Sequence, residues 1–205
     1  MENKQKPQRI NIITLGNSAV GKTCFIIRFS DDTFRQNYLA TFGMDFRIKQ
    51  IELENGKICK VYFYDTAGQE KFKSISLNAI KNANGVLLMY DVTNKISFDS
   101  ISEWMKNIKE EKGDTFPVVL VGNKIDLKEK RVISKEDGQD LADKYGISFF
   151  ETSNLSGENI YEAGVKLVNT IVGEMERESL KIDTTKNIKL SKEHKRKDKK
   201  KKKCC

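Results

Sequence analysis

The chain has 205 residues, with 37 Lys and Arg against 29 Asp and Glu and a formal net charge of +8. That length holds one domain of ordinary size plus an appendage, and a domain of about 170 residues buries enough surface to stand without disulfide staples. Composition excludes several classes: no run of about 18 apolar residues exists to span a bilayer, the opening MENKQKPQRI lacks the apolar stretch of a secretory signal, and Glu2 stands where N-myristoylation requires glycine.

Residues 9–15 form a β-branched apolar run followed by Gly16, which predicts a buried strand. A helix is expected over 22–30. Residues 45–53 and 58–64 alternate around Glu54-Asn55-Gly56, a hairpin signal. Residues 85–90 and 118–121 are short and continuously apolar, as in strands buried on both faces of a parallel sheet. Between them Phe98, Ile101, Trp104, Met105 and Ile108 recur at helical spacing, predicting one helix over 97–111. Ser134 followed by Asp137 reads as a helix N-cap, opening a helix to about 145. One more strand is expected at 147–150 and a last amphipathic helix at 158–176. Strands alternating with helices imply βαβ units in a doubly wound sheet, with the ligand outside the carboxyl ends of the strands.

Residues 178–205 hold eleven Lys and one Arg against two Glu and two Asp, so residues 1–177 balance at zero. The expected division is therefore a folded domain over 1–177 and a disordered, basic tail over 178–205. Because the basicity belongs to the tail, no nucleic-acid groove is expected on the domain; the tail suits an anionic surface. Cys24 and Cys59 stand alone in apolar contexts and Cys204 and Cys205 are the last two residues. That is no disulfide framework, and a reducing, cytosolic compartment follows. His194, the single histidine, lies in the tail, so histidine-based catalysis is not expected. Cys24, Cys59 and Trp104 are read as packing residues.

The segment Gly16-Asn17-Ser18-Ala19-Val20-Gly21-Lys22-Thr23 matches GxxxxGK[ST] between a strand and a helix. Such a loop turns backbone N–H groups onto a phosphate, and the helix N-terminus adds positive potential. Lys22 would reach the β- and γ-phosphates and the Thr23 hydroxyl would ligate Mg²⁺; Cys24 adjoins them. After the third strand, Asp65 would hold Mg²⁺ through water, the Gly68 N–H would meet the γ-phosphate, and Gln69 would orient the attacking water. After the fifth strand come Asn123, Lys124 and Asp126. A carboxylate at 126 can accept from guanine N1–H and the exocyclic amine together, a pair that adenine does not offer. Thr41, in the loop before the second strand, is a candidate Mg²⁺ ligand that senses the γ-phosphate. Ser153, after the last strand, would buttress the base, and Phe34 either stacks on the base or belongs to the core.

Taken together, GNSAVGKT, TFGMDF, YDTAGQEKF, VGNKID and ETS resemble the Ras superfamily over about residues 9–177. Thr41-Phe42-Gly43-Met44-Asp45-Phe46, Lys71-Phe72 and the terminal cysteine pair resemble its Rab branch. The resemblance implies a P-loop G domain with a mostly parallel six-stranded sheet flanked by helices. It implies GTP and GDP as ligands with Mg²⁺, slow intrinsic hydrolysis accelerated by a GTPase-activating protein, reloading by a guanine nucleotide exchange factor, and a role in vesicle traffic. Effectors would bind two switches, residues 36–45 and 67–78, of a monomer. Asn154 and Leu155 fall in the ETSAK-like segment: the Asn154 N–H would still meet the guanine carbonyl, while Leu155 lacks the lysine stem that covers the base, weakening nucleotide affinity somewhat. An aromatic triad read by Rab effectors maps to Phe46, Tyr64 and Ala79, two of them altered.

The resemblance also implies geranylgeranyl groups on Cys204 and Cys205, attached by a geranylgeranyl transferase with an escort protein, and a GDP dissociation inhibitor that extracts the lipidated GDP form. One lipid chain anchors marginally and a second signal makes attachment stable. The lysines add about 1 kcal/mol each near an anionic leaflet. The expected location is the cytoplasmic face of an intracellular membrane, with cycling through the cytosol. Two other classes share the motifs: a GTP-binding module with negligible turnover, and another P-loop nucleotide enzyme such as an ATPase or nucleotide kinase.

Overall fold

A computed structural model of the chain describes residues 7–34, 44–66 and 73–201. It divides into two compact units, Met1–Asn169 and Thr170–Cys205. The first unit contains six strands: β1 (Gln8–Leu15), β2 (Met44–Glu52), β3 (Ile58–Thr66), β4 (Gly85–Asp91), β5 (Val118–Asn123) and β6 (Ser148–Thr152). They form one sheet in the order β2-β3-β1-β4-β5-β6. All pairings are parallel except β2 with β3, the expected hairpin, whose register runs from Met44 opposite Thr66 to Glu52 opposite Ile58. Gly56, at φ 75°, supplies the left-handed residue of its five-residue loop.

Lying wholly within this unit are the helices α1 (Lys22–Asp31), α2 (Lys73–Asn82), α3 (Lys95–Asp99), α4 (Ile101–Lys112) and α5 (Lys135–Tyr145). β4 and β5 are buried at every residue, as their unbroken apolar runs require. Ser134 caps α5 as expected: its hydroxyl accepts from the Asp137 N–H while the Asp137 carboxylate accepts from the Ser134 N–H. Cys59 is buried, Cys24 half-buried and Trp104 in the core, as the sequence predicts.

Three local expectations change. The single helix over 97–111 is two helices, α3 and α4, divided at Ser100, whose hydroxyl donates to the Ile96 carbonyl at 2.8 Å. The stretch after residue 72, read as part of a switch loop, is helical from Lys73. The last helix, α6 (Ile160–Lys201), does not stop near residue 176. No Gly or Pro follows Gly173, and Lys, Glu and Leu are good helix formers, so propensity sets no stop where charge alone predicts disorder.

Strand order reverses at β1, which has β3 on one side and β4 on the other. The crevice at that switch point lies outside the carboxyl ends of the strands. Beneath it the core centres on Tyr90, whose ring lies 5.0 Å from Phe98 and 6.5 Å from Phe149. Two glycines make room for it: a Cβ on Gly122 would fall 2.7 Å from the Tyr90 Oη, and one on Gly138 2.5 Å from the same atom. The hydroxyl is buried with no hydrogen-bond partner, and burial pushes its pKa far above the ordinary phenol range. An unpartnered buried hydroxyl costs about 1–3 kcal/mol. Tyr90→Phe is therefore expected to leave stability unchanged or raise it by about 1 kcal/mol in urea unfolding, whereas Gly122→Ala lowers it by about 1–3 kcal/mol through overpacking.

Candidate functional site

The loop leaving β1 passes close under β4. A Cβ on Gly16 would lie 2.1 Å from the Met89 carbonyl oxygen, and the glycine sits at φ 135°. Ala19 and Gly21 are left-handed, at φ 62° and 104°. Left-handed residues interspersed with right-handed ones turn successive N–H groups to one side, the geometry of an anion nest. Gly21 then serves as N-cap of α1 with no side-chain cap, and no acidic residue occupies the first turn. The N–H groups that open α1 are left for an anion. Ser18 and Ala19 are exposed at the lip of the loop, and Val20 is buried beneath it.

Lys22 is 5 % exposed. Its ammonium donates to the carbonyls of Gly16 and Asn17, both at 2.8 Å. Burial pushes its pKa down to about 8, against the pull of the nearby Asp65 carboxylate. A buried cation held by two carbonyls inside an N–H-lined loop is arranged for a polyanion. Next to it the Thr23 hydroxyl donates to the Asp65 carboxylate at 2.6 Å. Asp65 reaches this position because the end of β3 is pinned to β1, with the Thr66 hydroxyl donating to the Thr14 carbonyl at 2.7 Å.

The expected divalent metal fits this pair. Two hard oxygen donors from separate elements meet beside the lysine, and Mg²⁺ characteristically takes one or two protein oxygens and fills its octahedron with water and phosphate. Among the described residues no group of three His, Cys, Asp or Glu forms a complete cage. Asn17 is held from outside: its amide donates to the Ser100 hydroxyl at 3.0 Å, and Trp104 Nε1 donates to its Oδ1 at 3.4 Å.

Asn123, completely buried, donates to the Val20 carbonyl at 2.8 Å and accepts from the Thr152 hydroxyl at 3.2 Å. Asn154 donates to the Gly21 carbonyl at 2.9 Å. The two amides fill the space a Gly21 side chain would need. Lys124, at φ 70°, turns the chain out of β5, and Asp126 follows at the surface, where Ser153 donates to its carboxylate at 2.6 Å. The loops after β1, β5 and β6 are thus one hydrogen-bonded assembly, joining Asn17 through Thr23 to Asn123, Lys124, Asp126, Ser153 and Asn154.

Leu155 is 54 % exposed and Phe34 half-buried beyond the end of α1; Cys24 is half-buried beside Thr23. Thr41, Gly68, Gln69, Cys204 and Cys205 lie outside the described residues, as do 36–43 and 67–72 of the expected switches. Sequence reasoning missed the side-chain roles of Asn17, Thr152 and Asn154. The last was legible in principle, since an amide stands where the resembled motif has alanine. On the sheet face away from α1, the rings of Phe46 and Tyr64 lie 6.2 Å apart and Arg9 donates to the Tyr64 hydroxyl at 3.3 Å; Ala79 packs against the core.

A sequence model of the Ras family matches residues 11–173. The chain is 42 % identical over 185 residues to Ras-related protein RABE1e of Arabidopsis thaliana, covering 90 % of this chain and 84 % of that protein. It is 48 % identical over 156 residues to Ras-related protein RABE1d of the same plant, covering 74 % and 72 %. Ras-related protein Rab-8B of Dictyostelium discoideum is 44 % identical over 162 residues, 79 % of each chain. With the P-loop at the switch point of a six-stranded sheet, these matches place the chain in the Ras family of guanine-nucleotide-binding GTP hydrolases. Within it the protein is a Rab-like small GTPase, of the branch whose role is vesicle traffic.

Lys22 carries a pH test of the site. With its folded pKa near 8 and its ordinary value 10.5, the unfolded chain binds the extra proton between those values. The stability of nucleotide-free protein should therefore rise with pH from about 8 to 10.5 by this contribution, and Lys22→Met should remove that rise in thermal melts across the same window.

Proposed function

We propose that residues 16–23 hold the phosphates of GTP, that Asp126 selects guanine, and that Thr23 and Asp65 hold Mg²⁺. The observation that supports the reading most is the assembly around Gly21: the Asn123 and Asn154 amides tie the base-recognition loops directly to the phosphate loop. Asp126, oriented by Ser153, accepts the two donors of the guanine edge; adenine offers no such pair and leaves the carboxylate unsatisfied. Lys22 exchanges one of its carbonyl contacts for phosphate oxygens and stays protonated among them. Thr23 and Asp65 would hold Mg²⁺, which would supply positive charge beside the phosphates. Gln69 orients the attacking water, while Thr41 and Gly68 gain contacts only with a γ-phosphate, so both switches tighten in the GTP state.

Among the described residues no arginine stands at the phosphate loop, which fits slow turnover dependent on a GTPase-activating protein; for Ras itself such a partner is worth about 10⁵-fold in rate. A guanine nucleotide exchange factor reloads the switch. Effectors meet a surface in which Tyr64 and Ala79 replace the usual aromatic pattern, so their selectivity differs from that of typical Rabs. Cys204 and Cys205 carry two geranylgeranyl groups, attached by the transferase with its escort protein and shielded by a GDP dissociation inhibitor. The basic tail then holds the monomer on the cytoplasmic face of an intracellular membrane. Among the described residues no helix is long and apolar enough to cross it.

Side-by-side titration with fluorescent GDP and ADP tests the base assignment. GDP should bind on the order of 10⁴-fold more tightly, and Asp126→Asn should shift preference to xanthine nucleotide; equal affinity for GDP and ADP would overturn it. For the tail, mass spectrometry of protein from native membranes should show two geranylgeranyl groups on the terminal cysteines, and free thiols there would remove the anchor.

A further inference from the structure

The end of β4 carries a carboxylate that the nucleotide-binding motifs do not include. Asp91 is 6 % exposed and lies opposite Asn123 in the β4–β5 ladder. Its two oxygens have different tasks. Oδ1 accepts from the Thr93 N–H at 2.8 Å and the Thr93 hydroxyl at 2.7 Å, closing a turn at the end of the strand. Oδ2 meets the Lys124 ammonium at 2.7 Å.

The turn explains Oδ1 alone, and an asparagine would form it equally well. The charge on Asp91 is needed for Lys124. A buried carboxylate is costly unless paired, so its retention here points to the lysine. Lys124 itself sits between buried Asn123 and the guanine-selecting Asp126, in a left-handed conformation that an L-residue adopts only when its surroundings hold it. Its side chain is about one-third exposed, and without a partner it would sample many rotamers. The ladder reinforces the connection: the Val92 N–H donates to the Asn123 carbonyl at 3.0 Å.

We infer that Asp91 is a positioning residue of the guanine-nucleotide site, acting through Lys124. By fixing the ammonium it holds the Lys124 stem and the turn to Asp126 in the arrangement that receives the base, and so lengthens nucleotide residence. The inference rests on the reading of residues 123–126 as the base-recognition loop.

The test measures release of GDP carrying a fluorescent ribose label from the full-length protein in excess Mg²⁺. The proteins compared are wild type, Asp91→Asn, Lys124→Met and the double variant. Asp91→Asn keeps the turn and removes the acceptor for Lys124; release should be about tenfold faster. The double variant should release no faster than Lys124→Met alone, because Asp91 has nothing left to position. Melting should show the reverse order: Lys124→Met strands a buried carboxylate, and the double variant relieves it. If Asp91→Asn does not fold, Asp91→Ser, whose hydroxyl forms a similar turn, takes its place with the same expected rate. Wild-type release from the Asp91 variant, or rate effects that multiply in the double variant, would overturn the inference while leaving the base-site reading intact. Failure of the wild type to bind GDP would instead remove the base-site reading itself.

Discussion

A single buried side-chain amide holds the site together. Asn123 donates to the carbonyl of Val20 in the phosphate loop and accepts from Thr152 at the end of β6, so one residue on β5 connects three strand ends. Its burial makes the connection obligatory, because an amide without partners in that position costs about 1–3 kcal/mol per orphaned group. The demand fixes Gly21, which has no side chain to displace the amide, and fixes the entry angle of α1. The loops proposed to recognise base and phosphate are therefore parts of one hydrogen-bonded unit rather than two loops that meet through the ligand.

Charge is distributed around that unit so that it needs its ligand. Lys22 is withdrawn from water with carbonyls for company, the first turn of α1 carries no acidic residue, and Thr23 and Asp65 place oxygens beside the cation. Each is poor in isolation: the ammonium prefers water and the opening N–H groups of α1 lack a side-chain cap. The proposed triphosphate with its divalent cation would satisfy them together and would link folding of the site to nucleotide binding.

The sheet was legible because its interior strands have no choice. Unbroken apolar runs such as 85–90 and 118–121 fit a parallel centre, and the Glu54-Asn55-Gly56 turn dictates the one antiparallel pair. The placing of residues 16–23, Asp65 and the Asn123–Asp126 segment at the ends of strands was legible as well, from their spacing and the apolar runs before them. What escaped depends on contacts between distant residues. The Ser100 hydroxyl, where α3 gives way to α4, receives the Asn17 amide from 83 positions away, and periodicity across 97–111 carries no trace of that contact. The side-chain role of Asn154, and Asp91 altogether, were overlooked for the same reason. Nothing local to residue 154 reveals the Gly21 carbonyl, and nothing local to residue 91 reveals Lys124. The run of α6 beyond residue 176 reflects a different conflict, in which helix propensity and net charge point to opposite states and composition alone does not rank them.

The antiparallel strand β2 closes one side of the sheet and leaves a row of backbone groups along an edge. Edges of this kind invite a strand from another molecule. Here Arg47 and Lys49 point inward and are committed to α1: Arg47 pairs with Asp31 at 2.9 Å, and the Lys49 ammonium takes the Phe29 carbonyl at 2.6 Å, satisfying a group that the end of the helix leaves over. A strand docking edge to edge would have to flatten β2 and pull both cations off the helix. The same residues that finish α1 thus guard the molecule against self-assembly into an extended sheet, a hazard that would grow on the membrane surface proposed for it.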